Sequence, residues 1–317
     1  MRYDVIVSGY ISLDRVIKVS TELKPGKTSI VTNDNNVKLE YGGCGINFAC
    51  DLDMLGKSVL PVIRVGYDYE SSGFKRFLEY SNISTEAVEM IKDSATSCSY
   101  LIENPEMDHI TLYYPGAMSE NYFKSYKSEW FSNSKLGLMT VASVKDNKEF
   151  LNRCKKANIP HFLGLKMDED AFPKWFVKEI TSSVTGVFAN EVEYEYFLTS
   201  NEVKTVEDIF DLNKGLEFVI KTKGKKGSEI YYREGKAITH LEIPILETDD
   251  FVSSVGSGDA FMAGFIFGML EGYSKKECMY LGATLSTFII EKAGATSNAP
   301  DRLQLLYRFN RFLLESE

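Results

Sequence analysis

The chain enters an apolar run at Tyr3-Asp-Val-Ile-Val-Ser8 and returns to short runs of the same kind at 59–65, 136–141, 159–165, 184–189 and 218–222. Runs of this length without polar alternation predict strands buried on both faces. Between them the apolar positions recur at helical spacing. Ile46, Ala49, Cys50, Leu52 and Leu55 mark a helix after Gly45 that Gly56 stops, and further helices are predicted at 72–80, 145–157, 172–181, 191–198 and 206–212. The C-terminal third is helical at 260–270, 275–291 and 301–314, and 228–232 with 236–243 predicts appended antiparallel strands. Strands alternating with helices predict a mainly parallel sheet covered on both sides. Two stretches break the alternation. Residues 15–40 carry strand-like patches at Val16-Ile-Lys-Val19 and Ser29-Ile-Val-Thr32 about Lys24-Pro-Gly26, and residues 96–115 read as a hairpin with a polar loop at 103–108. These predict a second, smaller sheet.

Composition narrows the class. At 317 residues, 44% hydrophobic and 26% charged, the chain is an ordinary globular protein with a substantial core. A formal net charge of −9 argues against a duplex nucleic-acid partner, which needs a basic face, but leaves room for a nucleotide pocket. No apolar run is long enough for a membrane span, and the N-terminus lacks the apolar region of a signal peptide, so a cytoplasmic protein is expected. Five scattered cysteines without a Cys-x-x-Cys pair, and histidines isolated from them, read as free thiols rather than a zinc site.

The candidate chemistry lies in Asp249-Asp-Phe-Val-Ser-Ser-Val-Gly-Ser-Gly-Asp-Ala-Phe-Met-Ala-Gly-Phe265. Gly256 and Gly258 permit tight turns and close approaches, and a helix start there turns unpaired N–H groups and a positive dipole end toward an anion. Asp259 has two readings: an ordinary cap at the N-terminus of the helix, or a proton acceptor beside the anion site.

Residues 256–265 resemble the C-terminal signature of the ribokinase/PfkB family of sugar and nucleoside kinases, and Tyr41-Gly-Gly-Cys-Gly-Ile-Asn-Phe-Ala49 resembles its N-terminal signature. The resemblance runs over nearly the whole chain. It implies one ribokinase-like α/β domain over 1–317, with a small β-sheet lid inserted at about 15–40 and 96–115. It also implies ATP- and Mg²⁺-dependent phosphotransfer to a small sugar-like alcohol. In that reading Asp259 is the base and the backbone of Gly256, Ser257, Gly258 and Asp259 forms the anion hole. Asp14, Gly42, Gly43 and Asn47 meet the acceptor. Asn190 and Glu193 position Mg²⁺ through its water shell, with no residue assigned as a direct metal ligand, and Thr222, Gly224 and Gly227 form the nucleotide loop. Tyr100, Tyr113 and Tyr114 are either base-stacking residues or lid core, with Tyr113 taken as the substrate contact. A nucleoside 5′-hydroxyl is the preferred acceptor, with a free or phosphorylated sugar, or a non-catalytic regulator that binds such ligands, as alternatives. Cys44 stands where many ribose kinases carry a basic residue. Ser253 stands where many members carry the acid of a K⁺ site, so weak or absent K⁺ activation is expected. A homodimer through the lid is the expected assembly.

Other phosphate-binding patterns fail. Gly43-Cys-Gly-Ile-Asn-Phe48 lacks the last glycine of a dinucleotide fingerprint, and Gly56-Lys-Ser58 has Asp51 in place of the first P-loop glycine.

Overall fold

The structure, a computed structural model, describes residues 2–105 and 109–315. Residues 106–108, in the hairpin loop expected at 103–108, lie outside them. The strands are β1 (Tyr3–Ser8), β2 (Ser12–Lys18), β3 (Glu40–Gly42), β4 (Val59–Val65), β5 (Val88–Met90), β6 (Cys98–Glu103), β7 (His109–Tyr114), β8 (Ser134–Met139), β9 (His161–Gly164), β10 (Gly186–Asn190), β11 (Phe218–Thr222), β12 (Ser228–Glu234) and β13 (Ala237–Ile243). The helices are α1 (Cys44–Met54), α2 (Phe74–Tyr80), α3 (Ser128–Ser132), α4 (Val144–Ala157), α5 (Lys174–Thr181), α6 (Glu191–Ser200), α7 (Val206–Leu212), α8 (Ser257–Glu271), α9 (Lys275–Ile290) and α10 (Arg302–Glu315).

Nine strands form one sheet in the order β13-β12-β11-β10-β9-β8-β1-β4-β5. Neighbours from β11 to β5 run parallel, and β12 and β13 add an antiparallel edge. The α/β sheet expected from the alternation is therefore present. Its inner parallel strands are mainly apolar because both faces are packed: Val5 and Val7 of β1 enter one core cluster with α1 and α8, while Ile6 enters the other with α4, α5 and α6. From β1 the chain builds outward in both directions, so the carboxyl ends of the parallel strands open on a crevice at that switch point.

The smaller sheet has the order β3-β2-β6-β7. Its composition departs from the sequence reading at one place: 29–32 forms no strand, and only an isolated bridge joins Val31 to Val19. The third partner is instead β3, immediately before the Gly42-Gly43 pair. The chain returns from β7 to the large sheet through a turn held by Arg64. Its guanidinium donates to the Ala117 and Met118 carbonyls at 2.9 Å and to the Asp146 carboxylate at 2.6 and 3.0 Å. No described helix is long and apolar enough to cross a membrane.

Candidate active site

Asn190 and Thr222 are the last residues of β10 and β11 and face each other in register, and Lys166 lies just past β9. Segments separated widely in the chain therefore meet along one sheet edge, because parallel strands point their carboxyl ends the same way.

On one side of this edge the Gly-Gly pair brings two sheets together. Gly43 has φ of +97°, and a Cβ there would fall 2.2 Å from the Tyr10 carbonyl oxygen, so no other residue fits between α1 and the Tyr10–Ile11 backbone. A Cβ on Gly42 would lie 2.8 Å from Asp14 Oδ2 and 3.4 Å from Asn47 Oδ1, which places Asp14, Gly42 and Asn47 around one spot. Burial pushes the Asp14 carboxyl above its usual range, against hydrogen bonds from Ser12 and Ser99, and Glu40 pushes it further. Asn47 Nδ2 donates to Asp259 Oδ2 at 2.9 Å, tying α1 to α8.

Helix α8 starts three residues before the apolar spacing indicated, at Ser257, and Gly256 is its cap with φ of +82°. A Cβ on Gly256 would fall 2.6 Å from the Ala295 carbonyl oxygen. Asp259 consequently sits inside the first turn and makes no capping bond; its side chain is 6% exposed and turned to Asn47. The cap reading of Asp259 is thereby removed. The Ser257 N–H donates to Ser254 O at 3.2 Å, whereas the N–H groups of Gly256, Gly258 and Asp259 find no acceptor among the described residues. Ser257 is thus the one expected anion-hole donor already engaged within the protein.

Lys166 was not singled out by the sequence, where it is an isolated lysine in Gly164-Leu-Lys-Met-Asp168. Its Nζ lies 3.9 Å from Asp259 Oδ1, and a Cβ on Gly258 would lie 3.8 Å from it. The Cys44 sulfur, with Asp259 and Glu193, holds the ammonium above its usual range despite the opposing effect of burial. Burial, then Asp259, pushes the Cys44 thiol up to about 12.

On the other side, Asn190 and Glu193 form a reciprocal cap of α6: Asn190 Oδ1 accepts from Glu193 N at 2.9 Å and Glu193 Oε2 from Asn190 N at 2.7 Å. The buried Glu193 carboxyl is raised by desolvation and held down by Lys166. Thr222 pairs with Ser228 across the turn that contains Gly224 and Gly227. Gly227 has φ of +85°, and a Cβ would fall 2.2 Å from Ile243 O, while Gly224, with φ of +54°, faces open space.

The smaller sheet separates the tyrosines. Register pairs Asp14 with Ser99 and Ser99 with Tyr113, so these share a face; Arg15, Tyr100 and Tyr114 belong to the other. Tyr100 and Tyr114 therefore cannot stack on a ligand beside Asp14, a correction that a strict period of two imposes. The Tyr113 ring packs 4.8 Å from that of Tyr10. Glu40, paired with Asp14 in register, joins the Asp14 face and was also not anticipated.

The model of the pfkB family carbohydrate kinases matches residues 4–302. The chain belongs to this family. Among relatives of this pfkB-family kinase, the nucleoside kinase of Methanocaldococcus jannaschii is 26% identical over 295 residues, 92% of each chain. The ribokinase of Haemophilus influenzae is also 26% identical, over 96% of this chain and 98% of that one. The M. jannaschii crystal structure superposes with a TM-score of 0.84 at 22% identity, covering 98% of this chain and 99% of that one. A Burkholderia thailandensis nucleoside kinase in complex with inosine gives 0.82 at 19% identity, covering 97% and 98%. The pfkB-family kinase described here thus shares the ribokinase-like fold.

Proposed function

We propose that the protein transfers the γ-phosphoryl group of ATP to the hydroxymethyl oxygen of a nucleoside. The observation that carries this reading is a set of buried oxygens, Asp14 Oδ1, Asn47 Oδ1 and Asp259 Oδ1, that receive no hydrogen bond from any described residue. All three are acceptors, so the ligand that satisfies them brings hydrogen-bond donors, as the hydroxyls of a sugar ring do. They converge with free α8 N–H groups and an ammonium, which suit the charge of a phosphoryl group. A polyol and a phosphate side by side are the two substrates of an alcohol kinase.

In this reading Asp14 and Asn47 hold the acceptor's hydroxyls, with Gly42 and Gly43 giving its ring close access to the backbone, and Tyr113 borders the ring. Asp259 takes the proton from the attacking hydroxyl as the O–P bond forms, and Asn47 keeps its carboxylate aimed. The N–H groups of Gly256, Gly258 and Asp259 receive the transferring oxygens. Thr222, Gly224 and Gly227 border the nucleotide. Glu193 already accepts from the Asn190 and Met167 N–H groups, so it fits Mg²⁺ held through water rather than by a direct bond. Mg²⁺, when bound, would neutralise charge on the ATP phosphates.

The pocket face favours an uncharged acceptor. Asp14 and Glu40 lie on it while Arg15 lies on the opposite face, so a sugar phosphate would meet carboxylates without a guanidinium. Relatives named nucleoside kinases support the same choice. The chain forms a single domain in which the smaller sheet is a lid over the acceptor, and a second copy pairs through its outer face, where Ile110, Leu112 and Tyr114 are exposed. ATP consumption measured across nucleosides, free sugars and sugar phosphates tests the reading. Turnover on nucleosides is expected; turnover confined to sugars would retain the kinase and remove the nucleoside, and ligand binding without turnover would favour the regulator.

A further inference from the structure

We propose that Lys166 is the side chain that binds the transferring phosphoryl group directly and accompanies it from nucleotide to acceptor. This rests on the kinase reading above.

An ammonium carries three donors, and Lys166 Nζ makes no hydrogen bond with any described residue. Its approach to Asp259 Oδ1 stops at 3.9 Å, with the lysine side chain 33% exposed. A structural ion pair in this protein looks different: Arg64 and Asp146 close to 2.6 Å at 4% and 0% exposure. The groups whose electrostatics act on Lys166 come from three elements, Cys44 on α1, Asp259 on α8 and Glu193 on α6. It therefore stands between the acceptor base and the nucleotide side, and is hydrogen-bonded to neither.

The φ of Gly258 is not in the left-handed region, and a Cβ there would meet Lys166 Nζ only at ordinary contact distance, 3.8 Å, which places the ammonium directly beside this residue. The ammonium thus hangs over the first turn of α8, whose Gly258 and Asp259 N–H groups have no acceptor among the described residues. A positive side chain and a positive helix end face one small volume, an arrangement that an oxyanion between them would relieve.

The step balances without a further reactant. The acceptor hydroxyl gives its proton to Asp259 as its oxygen bonds to phosphorus. The bond from phosphorus to the bridging oxygen breaks, and that electron pair leaves on ADP. Lys166 keeps its protons throughout, its hydrogen bonds following the equatorial oxygens, and Asp259 returns its proton to water after product release.

The test compares wild type, Lys166→Met and Lys166→Arg as full chains, by steady-state kinetics and by calorimetric titration with MgATP and MgADP. For Lys166→Met, kcat is expected to fall about 10²–10³-fold, the range for loss of one oxyanion donor. Acceptor KM and ADP affinity should stay within about threefold, ATP should lose its affinity advantage over ADP, and Lys166→Arg should recover about tenfold of the lost kcat. Full kcat in Lys166→Met would overturn the proposal, as would parallel losses of acceptor, ADP and turnover in a folded variant. If wild type phosphorylates no alcohol, the kinase reading falls by itself. The ATP-to-ADP affinity ratio then decides Lys166: a ratio unchanged by Lys166→Met removes the phosphate contact, and a reduced one keeps it.

Discussion

At the scale of single residues, the structure distinguishes a carboxylate kept for chemistry from one that is simply buried. Asp259 is almost fully enclosed, yet one oxygen is held by Asn47 and the other is left for a ligand. Asp259→Asn keeps the shape and removes the base, so turnover should drop by about 10²–10⁴-fold with little change in melting temperature. Asp51, four residues after Asn47 on α1, is fully buried, and neither carboxylate oxygen has a hydrogen-bond partner among the described residues. Burial, with Asp259 as a second cause, raises its carboxyl well above the ordinary value. Because the folded state then binds the proton more tightly than the unfolded chain, Asp51 lowers stability as pH rises from the unfolded value of about 4 toward the folded one. Asp51→Asn should therefore be more stable than wild type at pH 8, with the difference vanishing at and below about pH 4 in denaturant titrations. A constant difference across pH would show that Asp51 does not titrate in this way.

At the scale of elements, turns and helix starts position the site. The β11–β12 turn needs glycine at 227, where the backbone is left-handed in φ and the carbonyl of Ile243 fills the space of a side chain. Gly227→Ala should cost about 1–3 kcal/mol in urea unfolding, the range for a strained non-glycine backbone, and weaken ATP binding more than acceptor binding. Arg64 works on the lid return: it binds the carbonyls that follow β7 and the Asp146 carboxylate on α4. Arg64→Met leaves that carboxylate buried without its partner and should cost about 3–5 kcal/mol. A loss below 1 kcal/mol would mean that water replaces the guanidinium.

At the scale of the whole molecule, the two faces of the smaller sheet divide the labour. One carries Asp14 and Tyr113, the other an exposed stripe of Ile110, Leu112 and Tyr114. If a second copy covers the stripe, sedimentation should find a dimer that Leu112→Lys dissociates; a monomeric wild type would refute the pairing. A K⁺ site would be built between separate loops, and the expectation from Ser253 is that K⁺ activation is weak or absent. Ser253 has its hydroxyl engaged by the Val255 N–H at 3.3 Å, and Asp250 remains exposed on the irregular stretch upstream. Replacing KCl with choline chloride at constant ionic strength should leave kcat unchanged, and strong K⁺ stimulation would reveal other ligands.

The sequence by itself determined the sheet-and-helix architecture, because doubly buried strands must be apolar throughout and helices must present apolar stripes, patterns readable within a few residues. It also exposed the two glycine-rich signatures, since glycine at 43 and 256 answers close backbone contacts that no other residue tolerates. Only the tertiary structure decided which polar residues share a pocket. Lys166 carries no local mark that separates it from the other lysines of the chain; what distinguishes it is the meeting of the β9 edge with α8. The same holds for the division of Tyr113 from Tyr100 and Tyr114, which depends on strand register, and for Asp259 as a side chain free of capping, which depends on where α8 begins. Register and convergence are long-range properties, and a linear pattern constrains them only after the sheets have formed.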